Sequence, residues 1–267
     1  MRIAVCISGQ LREWFRAKEN QKWFWETIGD RGEVDYFIHT WDYSGDREGV
    51  SQPYIWRKVE QKEFDEVVDW YKPKKYIFDN KKQNFFYDDD HWMSLFYSMA
   101  QSIMLKREYE IENNFEYDVV IKSRPDIVFD PRTSFSEEHM TDGILYTTHA
   151  GEQPGELSMI NVNDCCFYTN SYTSDMLVDL YQYREKGIHP NGNLDNPDGY
   201  LNIQPLGPGT TMGQFFMDYG ITVQSIQPHN HSFIETILRM GFDSNLNLMR
   251  PKDFMKLRKL HFEWYEK

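Results

Sequence analysis

Tyr117-Asp118-Val119-Val120-Ile121-Lys122-Ser123-Arg124-Pro125-Asp126-Ile127-Val128-Phe129-Asp130 decides how the rest of the chain is read. Val119 to Ile121 is a short β-branched run without alternation, the pattern of a strand buried on both faces of a parallel sheet. Pro125 has no N–H to give to a ladder and holds Arg124 extended, so the chain is predicted to leave the sheet over Ser123–Asp126. Open α/β sheets bind ligands beyond the carboxyl ends of their strands. A guanidinium and a carboxylate presented there suit a phosphate and the metal ion that accompanies it. The plainer alternative is a surface ion pair capping the strand, and the remaining sequence has to separate the two.

Upstream, Arg2–Ile7 reads as a buried strand that closes on Ser8-Gly9-Gln10, where Gly9 permits a tight turn or a close ligand. Leu11, Trp14, Phe15 and Lys18 then share one helix face running towards Ile28. Strand, turn and helix in this order open a nucleotide-binding α/β unit, although the full G-x-G-x-x-G fingerprint is absent. Arg12, one turn into the helix, is placed to meet a diphosphate or to lie on the surface. Val34–His39 is the second predicted strand, ending in His39-Thr40-Trp41-Asp42, which is either a cleft wall or a core Trp beside a hydrogen-bonded His. Tyr43–Ser51 is polar and reads as a loop, Glu60–Tyr71 as a helix, and Lys74–Phe78 as a third strand.

Asp88-Asp89-Asp90-His91 precedes a clean helical stripe of Trp92, Leu95, Phe96, Met99 and Ile103. Acids in that position satisfy orphan N–H groups and oppose the positive end of the helix dipole, which explains them better than a metal cluster does. Successive β-α units to this point predict a doubly wound parallel sheet. After Asp130 the pattern shortens. Gly143–Thr147, Met159–Val162 and Cys165–Thr169 read as strands of a mixed or antiparallel half, with Thr173–Lys186 and Thr210–Tyr219 as helices and Ile221–Ile226 as a late strand. Gly187–Gly209 is long and rich in Gly, Pro and Asn, which reads as a lid or substrate loop, and a C-terminal helix is expected from Pro251.

Composition narrows the function. The 267 residues suffice for one large α/β domain, with no linker, repeat or low-complexity segment. Aromatic residues are 16% of the chain, suited to cores and to sugar-stacking walls alike. With 29 Lys and Arg against 42 Asp and Glu, the formal charge of −13 disfavours a broad nucleic-acid or anionic-membrane surface. A local cation can still hold a diphosphate. The opening apolar run is too short for a signal-peptide core or a membrane span, and three cysteines make neither a disulfide framework nor a zinc pattern, so a cytoplasmic location is expected.

Taken together, the sequence resembles a GT-A-type glycosyltransferase. More narrowly, it is similar to small nucleotide-sugar transferase-like proteins of bacterial surface-polysaccharide clusters and large viruses. The resemblance is carried by Ile7-Ser8-Gly9-Gln10-Leu11-Arg12, His39-Thr40-Trp41, Tyr117–Phe129 and Asn163-Asp164, over about the first two thirds of the chain. It implies a Rossmann-like, mainly parallel sheet flanked by helices. A donor half would span residues 1–130 and an acceptor half residues 131–267. Ser8, Gly9, Gln10, Arg12, His39, Thr40, Trp41 and Arg124 would bind a nucleoside-diphosphate sugar, whose sugar passes to a glycan or other hydroxyl acceptor.

In that family an Asp-x-Asp holds Mn²⁺ or Mg²⁺ against the diphosphate. Here Arg124-Pro125-Asp126 stands in its place. Asp126 then ligates the metal with help from elsewhere, or Arg124 supplies part of the metal's charge. His229 and His231 are the candidates for completing a metal shell, Arg124 for stabilising the leaving diphosphate, and Asp164 for the catalytic base. Asp164 equally suits an Asx turn. Two alternatives stay open: a catalytically silent fold that binds nucleotide or sugar, and a transferase acting on modified DNA bases.

Overall fold

The computed structural model describes residues 1–12, 14–30, 32–46, 55–80, 91–129, 140–147, 150–152, 160–162, 165–185, 208–225 and 236–237. Its centre is a seven-stranded sheet. β1 (Arg2–Gly9) is an almost continuously buried strand, as its unbroken Ile3–Ile7 run requires. β1 pairs in parallel with β2 (Glu33–Trp41) on one side and with β6 (Val119–Ser123) on the other. Beyond β2 lies β5 (Lys75–Asp79), also parallel. Beyond β6 come β11 (Phe167–Thr169), β8 (Ile144–Thr147) and β12 (Thr222–Ser225), with β11 antiparallel to both its neighbours and β12 parallel to β8. The order is therefore β12-β8-β11-β6-β1-β2-β5. Six strands run one way and one, β11, is reversed, so the mainly parallel, Rossmann-like architecture with an antiparallel element in the second half is as expected.

Both faces of the sheet are covered. The odd-numbered β1 residues Ile3, Val5 and Ile7 pack under α1 (Trp14–Gly29) and α2 (Gln61–Tyr71) through Trp14, Phe24, Trp25, Phe64, Val67 and Tyr71. Ala4 and Cys6 face the other way, onto α3 (His91–Asn113) with Phe96, Met99 and Ile103. This second core extends to α4 (Ser171–Met176), a 3₁₀ turn at Leu177–Asp179, α5 (Leu180–Glu185) and α6 (Pro208–Asp218) through Leu177, Leu180, Met212, Phe215 and Phe216.

Three features differ from expectation. The polar Tyr43–Ser51 stretch is partly strand, because β3 (Tyr43–Asp46) pairs antiparallel with β4 (Ile55–Lys58). The helix expected from Thr173 begins two residues earlier, where Asn170 Oδ1 accepts from the Thr173 N–H at 2.9 Å, and it is broken by the 3₁₀ turn. The apolar run after Pro125 leaves the main sheet, with β7 (Ile127–Val128) pairing instead with β13 (Thr236–Ile237), while β9 (Ala150–Glu152) and β10 (Ile160–Val162) form a separate ribbon. The expected C-terminal helix, Asp88–Asp90 and residues 187–207 lie outside the described residues.

Candidate functional site

The order of the sheet fixes where a site belongs. From β1 the chain goes first to β2 and β5 on one side, then through α3 to β6 on the other, so the direction of strand addition reverses between β1 and β6. Such a switch point parts the connections at the carboxyl edge and leaves a crevice there. The register brings Ser8 beside His39, Gly9 beside Thr40 and Ile7 beside Ser123. Ser8–Arg12, His39–Trp41 and Ser123–Asp126, which are far apart in sequence, thus meet on one edge.

Gly9 has φ +122°, a conformation that L side chains rarely adopt, and its carbonyl accepts the Thr40 hydroxyl at 2.7 Å. The chain turns sharply after it, with the Arg12 N–H donating to the Gln10 carbonyl at 2.9 Å. Gln10 Oε1 then accepts twice, from the Gly45 N–H at 2.7 Å and from Arg12 Nε at 3.2 Å. Arg57 of β4 closes the turn from outside. Its Nη2 donates to the Leu11 carbonyl at 3.1 Å while the same guanidinium holds Glu63 at 2.7 and 2.8 Å.

Arg124 and Asp126 meet each other rather than projecting separately. Arg124 Nε and Nη2 donate to the two Asp126 oxygens at 2.9 and 2.7 Å, and Arg12 Nη1 lies 3.8 Å from Asp126 Oδ2. Arg12, Arg124 and Asp126 are 8%, 6% and 1% exposed. Arg124 Nη1 also points at Cys165 Sγ, 3.7 Å away, and the buried Lys122 donates to the Cys165 carbonyl at 3.3 Å. Two guanidiniums therefore converge on one carboxylate at the end of the central strands.

That carboxylate is a poor seat for a divalent ion. Each of its oxygens already accepts an arginine N–H, and a cation placed there would face the positive charge of Arg12 and Arg124. Among the described residues no group of three His, Cys, Asp or Glu side chains is placed to hold a metal. His229, His231, Asp164 and Asp130 lie outside the described residues.

His39 and Trp41 turn towards α3. His39 is fully buried, with Nδ1 2.8 Å from Ser98 Oγ and Nε2 3.5 Å from Asp79 Oδ2. Burial lowers its pKa, and the hydrogen bond and charge of Asp79 oppose that shift. Trp41 meets the imidazole edge-on at 4.9 Å and stacks on Tyr97, whose hydroxyl donates to Asp79 at 3.3 Å. The pair forms a wall beneath the edge, with Thr40 between them reaching Gly9.

Two residues that the sequence reading passed over hold the site in shape. The buried Gln21 of α1 donates through Nε2 to the carbonyls of Arg124, Pro125 and Ile127 at 3.1, 3.0 and 2.8 Å, while Tyr71 donates to its Oε1 at 2.7 Å. Asn20 both accepts from the Phe129 N–H at 2.7 Å and donates to the Phe129 carbonyl at 3.0 Å, acting as a side-chain strand partner. The Phe129 ring stacks on Phe24 at 3.8 Å. An Asn-Gln pair between Ala17 and Phe24, on the apolar face of a helix, was the available signal, since buried amides require partners.

No protein-family model matches the chain, and no curated protein matches it. Among solved structures it is similar to a nucleoside-diphosphate-sugar pyrophosphorylase from Vibrio cholerae RC9, with 9% identity and a TM-score of 0.38 over 84% of this chain and 90% of that one. It is also similar to a glycosyltransferase involved in glycosylation of the major capsid of PBCV-1, with 6% identity and a TM-score of 0.32 over 75% of this chain and 71% of that one. Both superpose loosely on this chain.

Proposed function

We propose that the chain binds a nucleoside-diphosphate sugar at the carboxyl edge of β1, β2 and β6 and transfers the sugar to a hydroxyl acceptor. The observation that carries this reading is the meeting of Ser8–Arg12 with Arg124 at the switch point, where two guanidiniums and a glycine-permitted turn share one edge. Breaking the anomeric C–O bond leaves negative charge on the departing diphosphate. Fixed guanidiniums in a water-poor site stabilise that charge most where it develops. Arg12 and Arg124 are the residues for that role, and Asp126 holds them in place.

An incoming hydroxyl has to lose its proton, and Asp164 remains the proposed base, with residues 131–267 forming the half that receives the acceptor. The resemblance also implies Mn²⁺ or Mg²⁺. The donor set of the described residues does not fit such an ion, because both Asp126 oxygens already accept from Arg124.

A second reading is favoured by one observation. Arg124 spends two of its N–H groups on Asp126, as a structural pair would, which suits a silent module that binds nucleotide without turnover. Assaying UDP-, GDP- and dTDP-sugars for hydrolysis and transfer, with EDTA and with Mn²⁺, separates the two. Turnover supports the transferase, nucleotide binding without turnover supports the silent module, and neither removes both. Arg12→Ala should weaken donor use about tenfold or more, the scale of one charge-assisted contact. A wild-type rate in that variant would take Arg12 out of the site.

A further inference from the structure

Buried hydroxyls in this chain mostly have partners within it. Thr40 donates to Gly9, Ser102 to Met99, Thr147 to Cys166 and Thr169 to Ile144, while Ser98 meets His39. Among the described residues three buried side-chain polar atoms have no hydrogen-bond partner: Ser8 Oγ, Ser44 Oγ and Trp25 Nε1. Two of the three belong to one place. Ser8 is the last residue but one of β1 at the switch point, two residues before Gln10. Ser44 precedes Gly45, whose N–H is held by Gln10 Oε1 at 2.7 Å. Both serines are fully buried.

Natural interiors pair nearly all such groups, and orphans call for an explanation specific to their site. Alanine would fill either position without an unmet hydroxyl. Strand alternation sets Ser8 on the face of Cys6, and the register sets it beside His39. That edge is where the diphosphate reading places its ligand. A hydroxyl both donates and accepts, so it can serve a phosphate oxygen or a ribosyl hydroxyl.

We infer that Ser8 and Ser44 are direct ligand contacts, whose hydroxyls complete their hydrogen bonds on the ribosyl-diphosphate part of a nucleotide bound at this edge. The inference rests on the proposed function and deepens it by adding Ser44, on the β3–β4 hairpin, to the binding surface. The hairpin thereby joins β1 in recognising the ligand, with Gln10 bridging the two.

The test compares Ser8→Ala, Ser44→Ala and the double variant with Ser98→Ala, whose hydroxyl has a partner in the chain. Thermal melting of the free proteins and calorimetric titration with UDP, GDP and dTDP are the readouts. Ser8→Ala and Ser44→Ala should melt at or above the wild-type temperature, because no internal bond is lost. Each should weaken nucleoside-diphosphate binding by about threefold to tenfold, the size of one hydrogen bond. Ser98→Ala should melt lower. Unchanged nucleotide affinity in both alanine variants would overturn the inference, leaving these hydroxyls to water only. Melting temperatures lowered as far as that of Ser98→Ala would overturn it too. A wild-type protein that binds none of the three nucleotides fails at the earlier step, removing the proposed function and this inference with it.

Discussion

Replacing Gln21 by leucine would leave the carbonyls of Arg124, Pro125 and Ile127 without the donor they share, inside a protein interior. Buried acceptors that lose a partner are costly, so Gln21→Leu should lower unfolding stability by about 2–4 kcal/mol in urea melts. It should also loosen the turn that aims Arg124. A loss below about 0.5 kcal/mol would show that the turn holds itself. His39 makes a separate, pH-dependent prediction. Its folded pKa lies below the ordinary 6.5 because burial disfavours the charged ring. The unfolded chain therefore takes up a proton before the folded one does, and stability falls as pH drops from 6.5 towards the folded pKa. His39→Gln should flatten that part of the stability–pH curve. An unchanged slope would assign the acid sensitivity to other groups.

At the scale of elements, a buried lysine ties α3 to α4. Lys106 Nζ lies 2.6 Å from Ser171 Oγ, 2.8 Å from Asp175 Oδ1 and 2.9 Å from Glu110 Oε2. Glu110 in turn accepts the Tyr117 N–H and the Ser171 hydroxyl, each at 2.7 Å, so the network also fixes the entry to β6. Lys106→Met would strand carboxylates in the interior and should destabilise by about 3–5 kcal/mol, read by chemical denaturation. A neutral result would mean that water takes the place of the ammonium.

The contrast with the sequence reading is clearest among these elements. The strands β1, β2, β5 and β6 were legible because runs such as Ile3–Ile7 and Val119–Ile121 are apolar on both faces, as a covered parallel sheet demands. The β3–β4 hairpin was not, because Tyr43-Ser44-Gly45-Asp46 carries no alternation. Its pairing partner lies across a polar stretch, and its anchor is the side chain of Gln10. Asn20 and Gln21 were passed over for a related reason. Periodicity marks which face of α1 is buried but not that two amides on it serve a turn more than a hundred residues away.

At the scale of the whole molecule, topology does what no single motif does. Ser8, His39 and Arg124 are unremarkable alone, and they become neighbours only because strand order reverses between β1 and β6. Sequence reasoning placed Arg124 and Asp126 at a strand end and left open whether they face a ligand or pair with each other. The structure closes them on each other with Arg12 alongside, and this depends on a contact 114 residues apart in the chain that spacing cannot encode. The chain's formal net charge of −13 and the buried cations at this edge are compatible, since only the edge has to receive an anion. Among the described residues no helix is long and apolar enough to cross a membrane.

Amide hydrogen exchange of the full chain, with and without saturating UDP, GDP or dTDP, tests the switch-point site most directly. Bound nucleotide should slow exchange at residues 8–12, 39–45 and 122–127 together, because these segments share one edge. Protection confined to another part of the molecule, or none with any of the three nucleotides, would contradict a diphosphate site between β1 and β6.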